Sequence, residues 1–225
     1  MYEAAVKLNE SNLLNFVERN DRARLLDLGC DDGQWTKRLA VVINTKKAYG
    51  IEIADTNIVK AQKKGIMVTK GDLNNKIPFR SSSFDVVHAN QVIEHLTNID
   101  KFLDEIYRVL KPSGYLIIST ENASSWHNIF ASIMGWQIFS LTNVSTVTSG
   151  IGNPFALHRH KKVDSKMVSW THKTIFNYLG LKEILEEHHF NIFKIMGAGY
   201  YPFPAKFGRF DKRHAHFLTI KAYKG

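Results

Sequence analysis

The first half of the chain alternates between short apolar runs and amphipathic segments, and this alternation restricts the fold more than any other feature. Five apolar runs predict β-strands, at residues 24–28, 48–53, 66–69, 84–89 and 114–119. The segments between them predict helices over Trp35–Ile43, Thr56–Lys64 and Asp100–Leu110, the last with Asp100 as its N-cap. Strands and helices in this order predict a doubly wound α/β fold with a mostly parallel sheet covered on both faces.

The 225 residues suffice for one domain, which the pattern divides into 1–22, 23–120, 121–171 and 172–225. In the first part we expect a helix over Ser11–Arg19. The third carries an apolar stripe at helical spacing that Gly135 interrupts, so we expect short helices and a polar loop that form a cap. In the fourth, we expect Asn177 to cap a helix ending near His188 or His189, before strands over Asn191–Met196 and His216–Tyr223.

Composition excludes several classes of protein. The single cysteine, Cys30, cannot form an internal disulfide, fits a reducing compartment and is expected to be a small packed side chain. The polar start of the chain does not look like a signal peptide, and no apolar run approaches the roughly 18 residues of a membrane span. These features predict a cytoplasmic protein without a transmembrane segment.

The formal net charge of +9 comes from basic clusters such as KAQKKG, HRHKKVDSK and KFGRFDKRHAH. A basic surface can attract nucleic acid, anionic lipid or phosphorylated compounds. A lysine-rich solvated surface is the commoner explanation, and no nucleic-acid-binding motif accompanies the clusters. A nucleic-acid partner is therefore not favoured.

The stretch LLDLGCDDG, residues 25–33, ends an apolar run in a turn with two glycines and several carboxylates. In an open parallel sheet, ligands bind beyond the carboxyl ends of the strands, where glycine lets the backbone approach them. The spacing of Gly29 and Gly33 differs from the G-x-G-x-x-G of dinucleotide binding. Glu52 ends the next run, about where an acid meets ribose hydroxyls in nucleotide-binding folds, and Asp72 ends the third.

These motifs, with YGIEIA, KGDLNNKIPFRSSSFDVVHANQVIEHL and FLDEIYRVLKPSGYLIIST, resemble those of class I S-adenosylmethionine-dependent methyltransferases from about Leu25 to Thr120. The resemblance implies a Rossmann-like, seven-stranded sheet with an antiparallel last strand, and S-adenosyl-L-methionine as cofactor. HANQVIEHL and RVLKPSGYLIIS are similar to the small-molecule branch of that family. The cofactor-binding residues that the resemblance implies are Asp27, Gly29 and Gly33 at the methionine part, Glu52 at the ribose hydroxyls with Ile53, Asp72 and Leu73 at the adenine, and Asn90 near the sulfonium.

Two positions depart from the family pattern. Asp31 replaces a glycine in the turn; aspartate tolerates left-handed backbone, but its charge would repel the cofactor's carboxylate unless it faces solvent or the cofactor's ammonium. Asp31 is therefore counted with the cofactor-binding residues. Thr174 replaces the arginine of an H-x-R-x-F-T element found in glycan- and lipid-cluster methyltransferases, which weakens any transfer of substrate class.

Histidines are the candidate general bases, because a pKa near neutrality suits removal of a proton from a hydroxyl acceptor. His95 and His172 are the catalytic candidates, with His158 and His160 as further choices; for each, a purely structural role is the alternative. Their spacing predicts no metal site. The sequence predicts methyl transfer to a small molecule, at an oxygen of a sugar, glycan precursor or lipid-linked intermediate, with an anionic acceptor as one option. An RNA methyltransferase and a non-catalytic binding protein are the alternatives.

Overall fold

The computed structural model describes residues 1–156, 159 and 171–225. One sheet of seven strands runs through this part of the chain, in the order β3-β2-β1-β4-β5-β7-β6. Strand β7 is antiparallel to both of its neighbours, and the other strands are parallel to one another. The predicted fold class is confirmed. The strands are β1 (Arg24–Leu28), β2 (Lys47–Glu52), β3 (Met67–Lys70), β4 (Phe84–Asn90), β5 (Leu110–Glu121), β6 (Phe190–Ala198) and β7 (Phe217–Lys224).

The helices of the described residues mostly lie where the apolar spacing predicts them. Asn177 caps the last one as expected, since its side chain accepts a hydrogen bond from the Gly180 amide at 2.7 Å. Short 3₁₀ turns occur at Ile93–His95, Phe139–Leu141, Ala205–Arg209 and Lys212–His214. The helices are α1 (Tyr2–Phe16), α2 (Gln34–Ile43), α3 (Asp55–Lys63), α4 (Ile99–Val109), α5 (Trp126–Ile133) and α6 (Tyr178–Glu187).

Two sequence predictions about helix ends are wrong. The helix predicted over Ser11–Arg19 runs instead over Tyr2–Phe16, because its buried face contains asparagines that hide the apolar period. Asp100 does not cap α4; Asn98 does, by accepting a hydrogen bond from the Lys101 amide at 3.3 Å. Asp100 lies in the first turn of α4, where a negative charge complements the helix dipole.

Both faces of the sheet are buried. Along β5, Leu116 and Ile118 pack in the cluster that contains α4 and α6, whereas Tyr115 and Ile117 pack in the cluster that contains α1 and α2. Alternation within one strand therefore supplies two core layers, and burial of each large side chain contributes about 1.5–3 kcal/mol. Helices in the described part of the chain are too short or too polar to span a bilayer.

The edge of the sheet at which the parallel strands end is called the rim. Strand β7 begins at this edge, because it runs antiparallel to β5 and its Phe217 pairs with Glu121. The segment after β5 contains α5, Gly135 with φ +71°, and a stretch from Thr142 to Ala156 that contains neither helix nor strand, as predicted. Loops that follow β1, β2, β3, β4 and β5 therefore meet at the rim.

Candidate active site

The turn after β1 has left-handed backbone at three positions: φ is +69° at Gly29, +48° at Asp31 and +76° at Gly33. The conformation expected of Asp31 is confirmed. The Gly29 and Cys30 amides donate to the Ile51 carbonyl, at 2.9 and 3.1 Å, so the turn is tied to the end of β2. The turn is thus held by the neighbouring strand before any ligand binds.

The carboxylates of this turn each have a protein partner. The Asn57 side-chain amide donates to Asp31, which directs this carboxylate towards the N-terminal turn of α3. Asp32 accepts from Lys64 at 2.6 Å. Glu52 accepts from the Asp31 amide at 3.0 Å and from the Ile53 and Ala54 amides at 2.9 Å each, so it lies beside the turn.

Asp27 does not project from the rim. It is only 2% exposed, and its two oxygens accept from the Thr36 hydroxyl at 2.5 Å and from His88 Nδ1 at 2.7 Å. His88 Nε2 in turn accepts from Trp35 Nε1 at 3.2 Å, which fixes the imidazole as the tautomer with hydrogen on Nδ1. We call these four residues the Asp27 cluster. His88 was missed by sequence reasoning; its register opposite Asp27 appears only once β1 and β4 are paired.

Asp72 and Leu73 follow β3. Asp72 is exposed and accepts from the Asn74 amide at 2.9 Å, while Leu73 is buried in the core. The Asn74 side chain accepts from the Thr97 amide at 2.7 Å, which joins the loops after β3 and β4.

Asn90 ends β4, and its side-chain oxygen accepts from Asn9 of α1 at 3.4 Å. The Asn9 oxygen accepts from the hydroxyls of Ser119 and Thr219 at 3.1 and 2.6 Å. Asn9 was not expected at the site, because the predicted N-terminal helix began after it.

The structure brings the two catalytic candidates together. The rings of His95 and His172 lie 4.8 Å apart. His95 Nδ1 faces the Thr171 carbonyl at 3.2 Å, and His172 Nδ1 faces the Ser140 carbonyl at 2.5 Å. Because a carbonyl only accepts, Nδ1 of each ring carries a hydrogen. Burial lowers the pKa of His95 to about 4. His158 and His160 lie outside the described residues.

Glu94 completes this group. It is fully buried; one carboxylate oxygen accepts from the Thr120 hydroxyl at 2.9 Å, and the other has no hydrogen-bond partner in the described structure. Burial raises the pKa of Glu94 to about 8. Although the spacing predicted no metal site, potential ligand atoms of Glu94, His95 and His172 lie within 4.8 Å of one another.

A cavity of about 450 Å³ opens at the rim beside β5 and β7. Its lining includes His172 but not His95, and none of the described lining residues is a lysine or arginine. Tyr2, His127, Tyr201 and His216 were missed as site residues, because they come from segments that only the fold brings together. The described lining residues are Tyr2, Glu121, His127, Phe139, Thr142, Asn143, Ser149, Gly150, Phe155, Ala156, His172, Tyr201 and His216.

Comparison with known proteins agrees with this geometry. Residues 26–118 match the family model described as a methyltransferase domain. A solved S-adenosylmethionine-dependent methyltransferase of Thermotoga maritima superposes with a TM-score of 0.65 at 20% identity, covering 98% of this chain and 89% of that one. Residues 26–118 are therefore similar to a methyltransferase domain, and the fold is that of a solved S-adenosylmethionine-dependent methyltransferase.

Curated relatives of this chain are named for different O-methyltransferases. The mitochondrial ubiquinone biosynthesis O-methyltransferase of Rattus norvegicus is 25% identical over 218 residues, 79% of this chain and 60% of that protein. A malonyl-[acyl-carrier protein] O-methyltransferase of Legionella pneumophila is 33% identical over 101 residues, 43% of this chain and 36% of that protein. The chain thus covers less than two thirds of either relative, and the comparisons leave the acceptor open.

The residues at the rim fit S-adenosyl-L-methionine, the cofactor of the methyltransferase that this fold resembles. Glu52 and Asp72 follow adjacent strands and offer carboxylate acceptors, which suit the hydroxyl and amino donors of an adenosine. Asp31 turns its carboxylate to Asn57, so the repulsion expected from this position is reduced. Asp27 differs from the other carboxylate candidates because it is only 2% exposed, whereas Glu52 is half-buried and Asp31 and Asp72 are exposed.

Proposed function

We propose that the protein transfers a methyl group from S-adenosyl-L-methionine to an oxygen atom of a small molecule held in the cavity. The observation that carries this proposal is the position of the cavity at the rim, the edge that also carries the glycine turn and Glu52. A sugar, a glycan precursor or a lipid-linked intermediate is the proposed acceptor, and the cytoplasm the proposed location.

We assign cofactor contacts to the turn Gly29–Gly33, to Glu52 with Ile53, to Asp72 with Leu73, and to Asn90. Asp27 supports them indirectly, by holding Thr36 of α2 and His88 of β4 beneath the turn. The cofactor supplies an electrophilic methyl group on sulfur when it is bound. The chain's own task is to align the acceptor, to exclude water and to take a proton.

His172 is the proposed general base. It lines the cavity, and its Nδ1 hydrogen bond to the Ser140 carbonyl leaves the Nε2 lone pair to accept a proton. His95 is less suited, because burial lowers its pKa to about 4 and it does not line the cavity among the described residues. His172 would take the acceptor's O–H proton on Nε2, and the bound cofactor would supply the methyl group that replaces this proton on the oxygen, its sulfur retaining the electron pair.

The test is a metabolite-extract screen with purified protein and S-adenosyl-L-methionine. We expect S-adenosylhomocysteine to accumulate, with a product heavier than its precursor by about 14 mass units, one methylene. No accumulation above a protein-free blank would contradict the proposal. A product found in RNA instead of small molecules would favour the RNA-methylating alternative.

The identified acceptor then separates the two histidines. We expect His172→Gln to lower kcat by about 100-fold or more with little change in cofactor affinity, in line with loss of a general base. His95→Gln serves as the matched control and should keep most of kcat. Equal losses in both variants would remove His172 from the assigned role.

A further inference from the structure

Three aromatic residues at the cavity wall carry buried polar atoms that no described residue partners: His127, Tyr201 and His216, which we call the His216 cluster. The unpartnered atoms are His127 Nδ1, the Tyr201 hydroxyl and both ring nitrogens of His216. Buried polar groups normally have partners, and leaving one unsatisfied costs about 1–3 kcal/mol. All three residues line the cavity, but these atoms are closed to solvent, so a ligand there satisfies them after a small shift of the wall.

The positions of these groups are fixed by their neighbours. The His127 and His216 rings stack at 4.6 Å with an angle of 13°, and Tyr201 meets them edge-on at 5.0 and 5.4 Å. The His216 backbone donates to the Gly199 carbonyl at 3.0 Å and accepts from the Asn122 amide at 2.9 Å. Ring packing therefore fixes these groups relative to one another.

Both imidazoles are neutral at neutral pH. Burial lowers the pKa of His127 to about 4 and holds that of His216 well below its ordinary value. A neutral imidazole has one N–H donor and one acceptor nitrogen. Because both nitrogens of His216 lack partners, its ligand must offer an acceptor and a donor.

This requirement selects among ligand groups. A carboxylate or phosphate would satisfy the N–H but leave the lone pair unmet, and Glu121, whose Oε1 lies 3.8 Å from His216 Nε2, would repel it. An ammonium would satisfy the lone pair but leave the N–H unmet. Hydroxyl groups both donate and accept, so a ligand with two of them can satisfy the N–H with one and the lone pair with the other.

We propose that the His216 cluster binds hydroxyl groups of the acceptor, and that the acceptor is an uncharged, hydroxylated ring compound. The rings of Tyr2, Phe139 and Phe155 in the cavity lining supply apolar faces for such a ring. This inference rests on the proposed function and narrows its substrate class. It replaces the anionic acceptor that the basic composition left open with an uncharged one. Sugars and phenols share the required chemistry.

The experiment measures binding of ring compounds of similar size to the full chain saturated with S-adenosylhomocysteine. The probes are methyl glucoside and catechol (uncharged hydroxyls), phenyl phosphate (anionic), benzylamine (cationic) and toluene (no hydrogen bonds). We expect one of the two hydroxylated probes to bind more tightly than the other three, and which one it is distinguishes sugar from phenol. Tighter binding of phenyl phosphate or benzylamine, or no binding of either hydroxylated probe, would overturn the inference.

His216→Phe keeps the ring and removes both nitrogens. We expect it to weaken the hydroxylated probe at least about tenfold, the loss of one or two hydrogen bonds, and to leave toluene unchanged. His189→Asn is the control, since His189 is exposed and outside the described cavity lining. If His216→Phe is poorly folded, Tyr201→Phe replaces it, with a smaller loss expected.

Affinity for S-adenosylhomocysteine, measured on the same samples, separates the two proposals. Normal cofactor-product binding without hydroxyl preference would contradict only the acceptor class. Failure to bind S-adenosylhomocysteine would contradict the proposed function itself. Unchanged binding of the hydroxylated probe in both cluster variants would also overturn the inference.

Discussion

The Asp27 cluster and the His216 cluster are both aromatic and polar, both buried near the rim, and opposite in how they are satisfied. In the Asp27 cluster, each buried carboxylate oxygen and both His88 nitrogens have a protein partner. In the His216 cluster, four polar atoms have none among the described residues. The first cluster fixes a turn, whereas the second leaves hydrogen-bonding capacity for a ligand. The comparison indicates that a buried polar residue supports the fold when all of its hydrogen-bonding atoms have protein partners. A buried polar residue with unpartnered atoms can instead bind a ligand.

The largest expected effect comes from breaking the satisfied cluster. Asp27→Ala leaves the His88 N–H and the Thr36 hydroxyl buried without an acceptor, and we expect a loss of about 3–5 kcal/mol in the free energy of unfolding. Urea denaturation measures it. Asp55→Ala, which breaks an exposed pair with Lys70, is the control and should stay within about 1 kcal/mol. A comparable loss in both variants would mean that the Asp27 cluster contributes no more to the free energy of unfolding than an exposed ion pair does.

Backbone packing of the glycine turn should have the next largest effect. A Cβ on Gly33 would lie 2.8 Å from Ala61 Cβ, whereas one on Gly65 would meet nothing within 4 Å, although both have positive φ. We expect Gly33→Ala to cost about 2 kcal/mol more than Gly65→Ala, which bears only the backbone strain. Thermal and urea unfolding of the two variants decide it, and equal costs would show that the turn does not pack tightly on α3.

The neutral histidines of the His216 cluster should make stability depend on pH. His127 has a folded pKa of about 4, below its unfolded value near 6.5, so the unfolded state binds more protons between these values. Its contribution is present above pH 6.5 and falls by about 2 kcal/mol by pH 5.

The buried acid Glu94, with a pKa of about 8, contributes with the opposite sign. The His127 term is therefore read as the difference between the parent protein and His127→Asn. Unfolding free energies at several pH values between 5 and 7.5 measure it, and parallel curves for the two proteins would contradict the account.

The smallest expected effect is a gain, rather than a loss, of stability. Tyr201→Phe removes a buried hydroxyl without a partner, so we expect a gain of about 1 kcal/mol in stability together with weaker acceptor binding. Thr36→Val, the matched change in the satisfied cluster, should destabilise the protein instead. Loss of stability in Tyr201→Phe would indicate that its hydroxyl has a partner.

Sequence reasoning predicted the glycine turn and Glu52 better than it predicted the residues of the cavity wall. Local apolar periodicity predicts the succession of strands and helices along the chain and the ends of β1 and β2. It therefore places Gly29, Gly33 and Glu52 at one edge of the sheet. Tyr2, His127, Tyr201 and His216 come from distant parts of the chain, and only the antiparallel entry of β7 beside β5 brings them together. The local sequence pattern does not show which distant residues the fold brings together.

The error at α1 has a similar cause. Asn9 and Asn12 are buried because each bonds to a distant group, Asn12 to the Gly197 carbonyl at 3.2 Å. Polar residues on a buried face remove the apolar period that predicts a helix. The inward hydrogen bonds of Asp27 were likewise beyond sequence reasoning, because the position of His88 opposite it depends on strand pairing.

The most direct test of the account is calorimetric titration of the folded protein with S-adenosylhomocysteine, alongside Glu52→Gln. The parent protein should bind, and the variant, which keeps the shape but lacks the charge, should bind at least about 100-fold more weakly while it still unfolds cooperatively above the temperature of the titration. Absence of binding to the folded parent protein, or equal binding by the variant, would contradict the account.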